Sequence, residues 1–238
     1  MTARPLYPSY MDLDPWIDVD RLKALDRFVT ERLARRCEAS GDLAFDTGPF
    51  LLGGDAPRLP GSRLVYLART EAEDDYYALD RTELWRPTAE AEEFAPLMEF
   101  IATLPFAATG RMIIMYDYDG RAVPTHRDHD SIALCHEFVW FRTNLSKPLY
   151  MLDPETGQRL DVTSHSAWFD TVNQYHGADA APGLTFSIRI DGRFTEEFRA
   201  QIPAAGGNAA SAPALWAAQV PPCRDAVGRG TMLCLVEG

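Results

Sequence analysis

The 238-residue sequence is short of positive charge and contains no long apolar run. Its 35 acidic residues outnumber 23 basic ones, and the net charge of −12 would repel phosphate backbones and anionic membrane surfaces. We therefore expect neither nucleic acid nor a membrane as a partner. No apolar stretch approaches the roughly 18 residues of a membrane-spanning helix. The first residues also lack the apolar core of a secretory signal.

Cysteine is scarce as well. The four cysteines (Cys37, Cys135, Cys223 and Cys234) show neither a CxxC motif nor tight disulfide spacing. Such spacing is typical of free thiols in a reducing compartment, so a cytoplasmic location is expected.

Length and composition predict one domain, because 46% apolar and 11% aromatic residues can build one sizeable core but hardly two. Three parts are distinguished within this single catalytic domain: a mixed helical part (1–105), a β-rich core (106–192), and a C-terminal helix with an irregular tail (193–238). Helical spacing of apolar residues predicts helices at 19–37, 89–104 and 194–202.

Short runs rich in β-branched and aromatic residues dominate the middle of the chain. Together with one earlier strand, the predicted strands are 63–69, 111–118, 132–142, 148–152, 166–172 and 184–191. Turn signals such as DG, DPETG and PG separate several of them. Several short strands at close spacing indicate an antiparallel sandwich or a small barrel.

The segment PTHRDHD (124–130) carries the most informative chemistry. In an extended segment, His126 and Asp128 leave the same face, so one imidazole and one carboxylate can reach a single metal ion. His176, which follows the predicted strand at 166–172, is the best candidate for a third ligand. Two histidines and a carboxylate leave three positions open on an octahedral ion, as in Fe(II) oxygenases that activate dioxygen.

Simpler interpretations stay open for these residues. PTHRDHD is rich in turn formers, and an isolated H-x-D pair is equally compatible with a solvated turn. Three other histidines are rival ligands: His129, His136 and His165. His129 lacks the spacing that puts two ligands on one face, His136 lies within an apolar strand pattern, and His165 precedes a strand in a predicted turn.

A basic residue in a later strand strengthens the metal interpretation. Arg189 lies in the apolar pattern TFSIRID, where a buried guanidinium is costly without an anionic partner. Period-two counting puts Ser187, Arg189 and Asp191 on one face of that strand. A guanidinium with a neighbouring hydroxyl can clamp a carboxylate in bidentate fashion. The alternative is an ion pair between Arg189 and Asp191 or a glutamate.

From about residue 111 to residue 192, the sequence resembles 2-oxoglutarate-dependent dioxygenases, especially free-amino-acid proline hydroxylases and their aspartyl/asparaginyl hydroxylase-like relatives. The stretches that carry the resemblance are RMIIMYDYDGRAVPTHRD, FVWFRTN, SAWFDTVNQYHGA and FSIRIDG. The resemblance implies a mainly β fold with flanking helices, built on a double-stranded β-helix of the cupin-like jelly-roll kind. It also implies that His126, Asp128 and His176 bind iron.

The same resemblance assigns three residues to the cosubstrate. Arg189 would bind the distal carboxylate of 2-oxoglutarate, and Arg142 in WFRTN matches a second family arginine that contacts the cosubstrate. Many family members have a serine two residues after the first arginine, whereas here Ser187 precedes Arg189 by two. From the same strand face its hydroxyl could still reach that carboxylate. For Arg142, a structural role is an equally open alternative.

The function implied is an Fe(II)-, 2-oxoglutarate- and O2-dependent hydroxylase of a small molecule, such as an amino acid or a biosynthetic intermediate, that releases succinate and CO2. Related halogenases have Gly or Ala in place of Asp128, so a carboxylate there favours hydroxylation or desaturation. Three alternatives stay open: a hydroxylase of a protein or carrier-bound residue, a cupin-like Zn(II)- or Mn(II)-binding protein, and an inactive relative that binds a partner. A zinc hydrolase would need no carboxylate clamp such as Arg189.

Overall fold

The computed structural model describes residues 10–39, 62–70, 81–117, 120–126, 137–153, 156–169, 171 and 174–205. Its helices are α1 (Val19–Ala24), α2 (Asp26–Ala39), α3 (Ala89–Glu93), α4 (Ala95–Ile101) and α5 (Glu196–Ala205). Its strands are β1 (Tyr10–Asp12), β2 (Ser62–Arg69), β3 (Arg86–Pro87), β4 (Phe106–Asp117), β5 (Val123–His126), β6 (Glu137–Phe141), β7 (Leu149–Leu152), β8 (Arg159–Val162), β9 (Ser166–Phe169), β10 (Tyr175–Ala178) and β11 (Thr185–Phe194). No helix in these ranges is long and apolar enough to cross a membrane.

Two antiparallel sheets form the core. The large sheet has the order β1-β9-β6-β11-β4-β2-β3, and the small sheet has the order β5-β10-β7-β8. From β4 to β11, the chain crosses from one sheet to the other at every connection except the β7–β8 hairpin. This alternation is the topology of a jelly roll, so the expected double-stranded β-helix with flanking helices is confirmed.

One face of the large sheet packs against the helices. Phe141 lies directly opposite Ile188 in the sheet, and its ring meets Phe100 of α4 edge-on, with 5.6 Å between centroids. The apolar stripes predicted for the helices supply the covering layer. Their fully buried members are Leu22, Val29, Leu33, Phe94, Leu97, Phe100, Ile101 and Leu104.

The other face of the large sheet is turned towards the small sheet, and we call it the inner face. Arg189 and Asp191 belong to it because successive side chains of a strand alternate, and Phe138 lies opposite Asp191 in the register. Phe169 shares this face and contacts His176 of the small sheet, with 4.9 Å between ring centroids. The space between the sheets is therefore where charged and aromatic side chains meet.

Two predicted helices are each divided into two. The helix predicted at 19–37 is interrupted at Leu25, and the one predicted at 89–104 is interrupted at Phe94 and ends earlier. Pro96 explains the second break, because it has no N–H to bond the carbonyl four residues earlier and so suits only the first turn of a new helix. The C-terminal helix is confirmed as α5, which starts two residues later than predicted.

All six predicted strands are found, as β2, β4, β6, β7, β9 and β11. Parts of three predictions (residue 118, residues 132–136, and residues 170 and 172) lie outside the described residues. Five strands of two to four residues were not predicted: β1, β3, β5, β8 and β10. Such short strands contain at most two residues per face, too few to show an alternating pattern. The predicted irregular tail lies outside the described residues from residue 206 onwards.

Strand β1 is fastened to the start of β9 by polar side chains. Asp14 accepts hydrogen bonds from the backbone N–H groups of His165 (2.9 Å) and Ser166 (2.7 Å), and from the Ser166 hydroxyl (2.7 Å). The hydroxyls of Tyr10 and Ser164 lie 2.5 Å apart. Burial raises the pKa of Tyr10 to about 12, so this phenol stays neutral and hydrogen-bonded at physiological pH.

The Tyr10 pKa gives a pH prediction. Because the folded pKa of about 12 exceeds the ordinary value of 10.0, the unfolded chain ionises first, and the stabilisation by Tyr10 is lost as pH rises from 10 to 12. At neutral pH we expect Tyr10→Phe to lower the free energy of unfolding by about 1 kcal/mol, the worth of one hydrogen bond. Urea unfolding of both proteins should show this difference shrinking towards pH 11. A difference that stays constant with pH would contradict the assignment.

Candidate functional site

Two histidines of the small sheet form a direct cross-strand pair. His176 on β10 lies opposite His126 on β5, and their ring centroids are 4.4 Å apart. His176 is 7% exposed, whereas His126 is partly buried. Two imidazoles at this separation on one face can bind the same metal ion, which is what the sequence predicted for this pair.

The hydrogen bonds of both rings fix their tautomers. Nδ1 of His126 lies 2.8 Å from the carbonyl oxygen of Pro124, and Nδ1 of His176 lies 2.9 Å from that of Gln174. A carbonyl oxygen only accepts, so each Nδ1 donates a proton, and a neutral imidazole bonded in this way has its lone pair on Nε2. Metal-binding histidines commonly donate their second nitrogen in this way, which orients the ring. The geometry therefore fits a metal ion held through the two Nε2 atoms.

A β-bulge decides which face His126 occupies. His176 pairs with His126, but two residues further along β10 Ala178 pairs with Val123, so β5 has one extra residue between these pairs. In a regular strand counted from Val123, Thr125 would lie opposite His176, and His126 would point away from it. The bulge therefore brings the two imidazoles together, and bulges often re-aim a side chain beside an active site in this way.

The third predicted ligand, Asp128, lies outside the described residues, as do His129 and His136. Among the residues that are described, no group of three His, Cys, Asp or Glu side chains could hold a metal ion. His165 is placed elsewhere: it precedes β9, and its ring N–H donates to the carbonyl oxygen of Arg142 at 3.0 Å. Phe169, which contacts His176, lies four residues further along the chain. His165 is therefore roughly 13 Å from Phe169 along the strand direction.

Arg189 belongs to a buried cluster with Arg111 and Asp191, whose exposed fractions are 5%, 0% and 1%. Its Nε and one Nη approach Oδ1 of Asp191 at 2.9 and 2.8 Å. The guanidinium of Arg111 approaches Oδ2 in the same way, also at 2.9 and 2.8 Å. One carboxylate is therefore shared by two guanidinium groups, and the three side chains together carry one net positive charge.

Arg111 is the member of this cluster that the sequence analysis missed. A signal was present, since Arg111 opens the apolar strand pattern RMIIMY just as Arg189 interrupts another. The same reasoning about a buried guanidinium would have found it. The ion pair between Arg189 and Asp191, which the sequence left open as the alternative to a carboxylate clamp, is observed, and Arg111 adds a second guanidinium to it.

Aromatic rings connect the arginine cluster to the histidines. The guanidinium of Arg189 lies over the ring of Phe138, 4.1 Å from its centroid. Phe138 and Phe169 meet edge-on at 5.6 Å, and Phe169 contacts His176 at 4.9 Å. The histidine pair and the buried arginines thus face one interior between the sheets. Ser187 lies on the same face as Arg189, two residues before it, and is partly buried.

Arg142 has a different environment. Its guanidinium donates to the backbone carbonyl oxygens of Val162 (2.5 Å), Lys147 (2.7 Å) and Ser164 (3.3 and 3.4 Å). Burial lowers its pKa to about 10, which leaves it charged at neutral pH. A guanidinium whose donors bind three carbonyl groups holds loops together, so the arrangement favours the structural role that the sequence left open.

The two residues after Arg142 have structural contacts as well. The Thr143 hydroxyl and the Asn144 amide both donate to Oδ1 of Asp26 at the start of α2, the latter at 2.6 Å. Asn144 also accepts from the backbone N–H of Ser146 at 3.0 Å. The RTN segment therefore joins the loop after β6 to a helix and to the neighbouring loops.

This environment predicts that Arg142 contributes to stability rather than to cosubstrate binding. We expect Arg142→Ala to lower the free energy of unfolding by about 3 kcal/mol, because three buried carbonyl groups lose a charged donor. Arg142→Lys should recover part of the loss, since one ammonium reaches fewer carbonyls. Urea unfolding measures both variants. A variant of normal stability that no longer binds 2-oxoglutarate would show that the arginine contacts the cosubstrate after all.

No protein-family model matches the chain, and no curated protein matches its sequence. Solved structures with a similar fold include a prolyl hydroxylase from Trichoplax adhaerens in complex with a hypoxia-inducible-factor peptide fragment. It is 11% identical over 82% of this chain and 87% of that one, with a TM-score of 0.45. A Pseudomonas putida prolyl-4-hydroxylase is 15% identical over 79% and 93%, with a TM-score of 0.41. A 2OG-Fe(II) oxygenase family oxidoreductase from Burkholderia pseudomallei is 11% identical over 73% and 89%, with a TM-score of 0.36. At such identities and scores the likeness is too distant to assign an activity.

Proposed function

We propose that the chain is an Fe(II)- and 2-oxoglutarate-dependent oxygenase that hydroxylates an unactivated C–H bond of a small molecule, such as an amino acid or a biosynthetic intermediate. The observation that carries this proposal is the His126–His176 pair facing the same interior as the buried Arg189. 2-Oxoglutarate has a chelating 2-oxo acid at one end and a second carboxylate at the other. It therefore needs a metal and a cation in one cavity.

The metal would be held by Nε2 of His126, Nε2 of His176 and the carboxylate of Asp128. The assignment of Asp128 rests on its position two residues after His126, since this spacing returns an extended chain to the same face. Two imidazoles and one carboxylate leave three positions for a chelating cosubstrate and dioxygen. When bound, this iron supplies the oxidation of a C–H bond to an alcohol, coupled to decarboxylation of 2-oxoglutarate to succinate and CO2.

Arg189 would bind the distal carboxylate of 2-oxoglutarate. Its guanidinium lies over the ring of Phe138, and its Nε and one Nη face Oδ1 of Asp191, so the orientation of the group is fixed. The net positive charge shared with Arg111 would attract an anion, and burial strengthens that attraction because the local dielectric constant is low. The Ser187 hydroxyl, on the same face, would add a hydrogen bond to the same carboxylate. Arg142 has no place in this proposal.

The aromatic rings between the two groups would keep water from the reacting centre. Phe138 and Phe169 are buried and fill the inner face between Arg189 and His176. An apolar wall beside a metal limits solvent access and lowers the local dielectric constant. Both histidines keep their donor bonds to backbone carbonyls, so their lone pairs stay directed at the metal position.

The histidine pair can be tested in the absence of oxygen. With Fe(II) and 2-oxoglutarate, we expect a weak visible absorption band at about 500 nm, because the cosubstrate would chelate an iron that has open coordination positions. His176→Ala should abolish the band because the metal loses one of three protein ligands. His165→Gln is the matched control, since His165 lies at the far end of β9. If the wild type gives no band, or His176→Ala keeps it, the proposed metal centre is wrong; tight Zn(II) binding in that case would support the cupin-like alternative.

The arginine can be tested by comparing two cosubstrates. Arg189→Met should weaken 2-oxoglutarate binding more than about 100-fold, the cost of removing one partner of a buried charge pair. Pyruvate has no distal carboxylate, so its binding should be nearly unchanged, and Fe(II) binding should stay intact. Arg193→Met, an exposed arginine of the same strand, is the control. Calorimetry that shows equal 2-oxoglutarate affinity in Arg189→Met would remove the clamp from the proposal.

A further inference from the structure

The outer face of the small sheet, behind the two histidines, carries a side-chain contact that spans three strands. Tyr150 on β7 and Thr125 on β5 are separated by β10, yet their hydroxyls are hydrogen-bonded at 2.7 Å. The residue of β10 opposite Tyr150 is Gly177. The phenol therefore crosses the backbone of β10 at Gly177 to reach β5. We call these three residues, Tyr150, Gly177 and Thr125, the tyrosine strap.

Only a glycine lets the strap lie this close to β10. A Cβ atom at Gly177 would come 2.5 Å from Oη and 2.7 Å from Cζ of Tyr150. It would also come 2.9 Å from the carbonyl oxygen of Val123, which belongs to the backbone of β5. Any larger residue would thus push away both the tyrosine and the neighbouring strand.

The tyrosine of the strap is itself held in place. The guanidinium of Arg159 lies 4.1 Å from the centroid of the Tyr150 ring. Arg159 donates to Asp161 at 2.6 Å and to both carboxylate oxygens of Asp179 at 2.6 and 3.1 Å. These bonds hold the pKa of Arg159 above its usual value and that of Asp179 below. The guanidinium therefore stays charged and in position against the ring.

The strap holds the part of β5 that needs support. Among the strands that the structure describes, the four-residue β5 lies at the edge of the small sheet and pairs with β10 alone, and its register with β10 is broken by the bulge at positions 124 and 125. Pro124 has no N–H to give to the sheet. Thr125 is the bulge residue next to His126, and Gly177 is next to His176. The strap therefore joins the immediate neighbours of the two histidines.

We infer that the tyrosine strap positions the proposed metal site: its hydroxyl bond holds the bulge of β5 in the shape that turns His126 towards His176. This inference rests on the proposed metal centre at these two histidines. Tyr150 and Thr125 touch no ligand in this arrangement, and they act through the backbone that carries His126. Loss of the strap should therefore loosen the metal while most of the fold is kept.

Metal affinity in matched variants tests the strap. Thr125→Val keeps the shape and removes the hydroxyl, Tyr150→Phe removes the partner hydroxyl, and Thr125→Ser keeps the bond. We expect the first two to weaken anaerobic Fe(II) binding about 10-fold, the lower end of the effect of losing a group that orients a metal ligand. Thr125→Ser should stay within about twofold of the wild type. The double variant with Thr125→Val and Tyr150→Phe should bind Fe(II) as weakly as each single variant, because all three lose the same hydrogen bond.

The thermal unfolding midpoint of the metal-free protein distinguishes positioning of His126 from a general stabilisation of the fold. A purely structural strap would lower that midpoint in Thr125→Val and Tyr150→Phe and leave the metal affinity of the folded protein unchanged, which would overturn the inference. Gly177→Ala should lose more affinity than either, since it displaces both the tyrosine and β5. Wild-type protein that binds no Fe(II) would overturn the proposed metal centre. Normal wild-type binding with unaffected strap variants would overturn the strap alone.

Discussion

Strand alternation is the constraint on which the rest of this molecule depends. Each side chain of a strand faces the side opposite to those of its two chain neighbours. The register of a strand therefore decides which of its residues face the helices and which face the interior. On β11 this puts the isoleucines under the helices and Arg189 with Asp191 on the inner face. In β5 the alternation is broken by a bulge, and this break is what turns His126 towards His176. The histidine pair is thus a consequence of the register of β10 and of the bulge in β5.

The buried charge cluster gives a second reason to regard the interior as a functional site. Burial of ionic groups costs hydration free energy, and their mutual attraction compensates for only part of that cost. Proteins in which such groups are replaced by apolar residues of similar volume are often equally or more stable. Two arginines sharing one carboxylate leave an uneven charge balance within the cluster itself. Under the proposed function, the distal carboxylate of 2-oxoglutarate would be the anion that these two guanidinium groups attract.

The parts of the fold and site that could be predicted are those with a long pattern. The ten residues of β11 show the alternation that places Arg189, and the helices show their apolar stripes. Strands of four residues such as β5 and β10 carry too little pattern, so His126 and His176 were found from ligand chemistry rather than from strand prediction. The bulge has no sequence signal beyond Pro124, and the position of Arg142 depends on carbonyl groups of the nearby Lys147 and of Val162 at the end of β8. Both required the three-dimensional arrangement, and Asp128 stays a prediction from spacing.

The bulge in β5 also affects how this protein behaves among copies of itself. An edge strand with a regular row of N–H and C=O groups is a template for another chain, and proteins blunt such edges with prolines and bulges. Within the described part of the small sheet, β5 forms one edge, and it carries both devices, Pro124 and the extra residue. A substitution that straightens β5 would therefore expose a pairing edge at the same moment that it turns His126 away. One substitution would therefore affect both solubility and the histidine pair, so the edge can change in evolution only as far as the position of His126 allows.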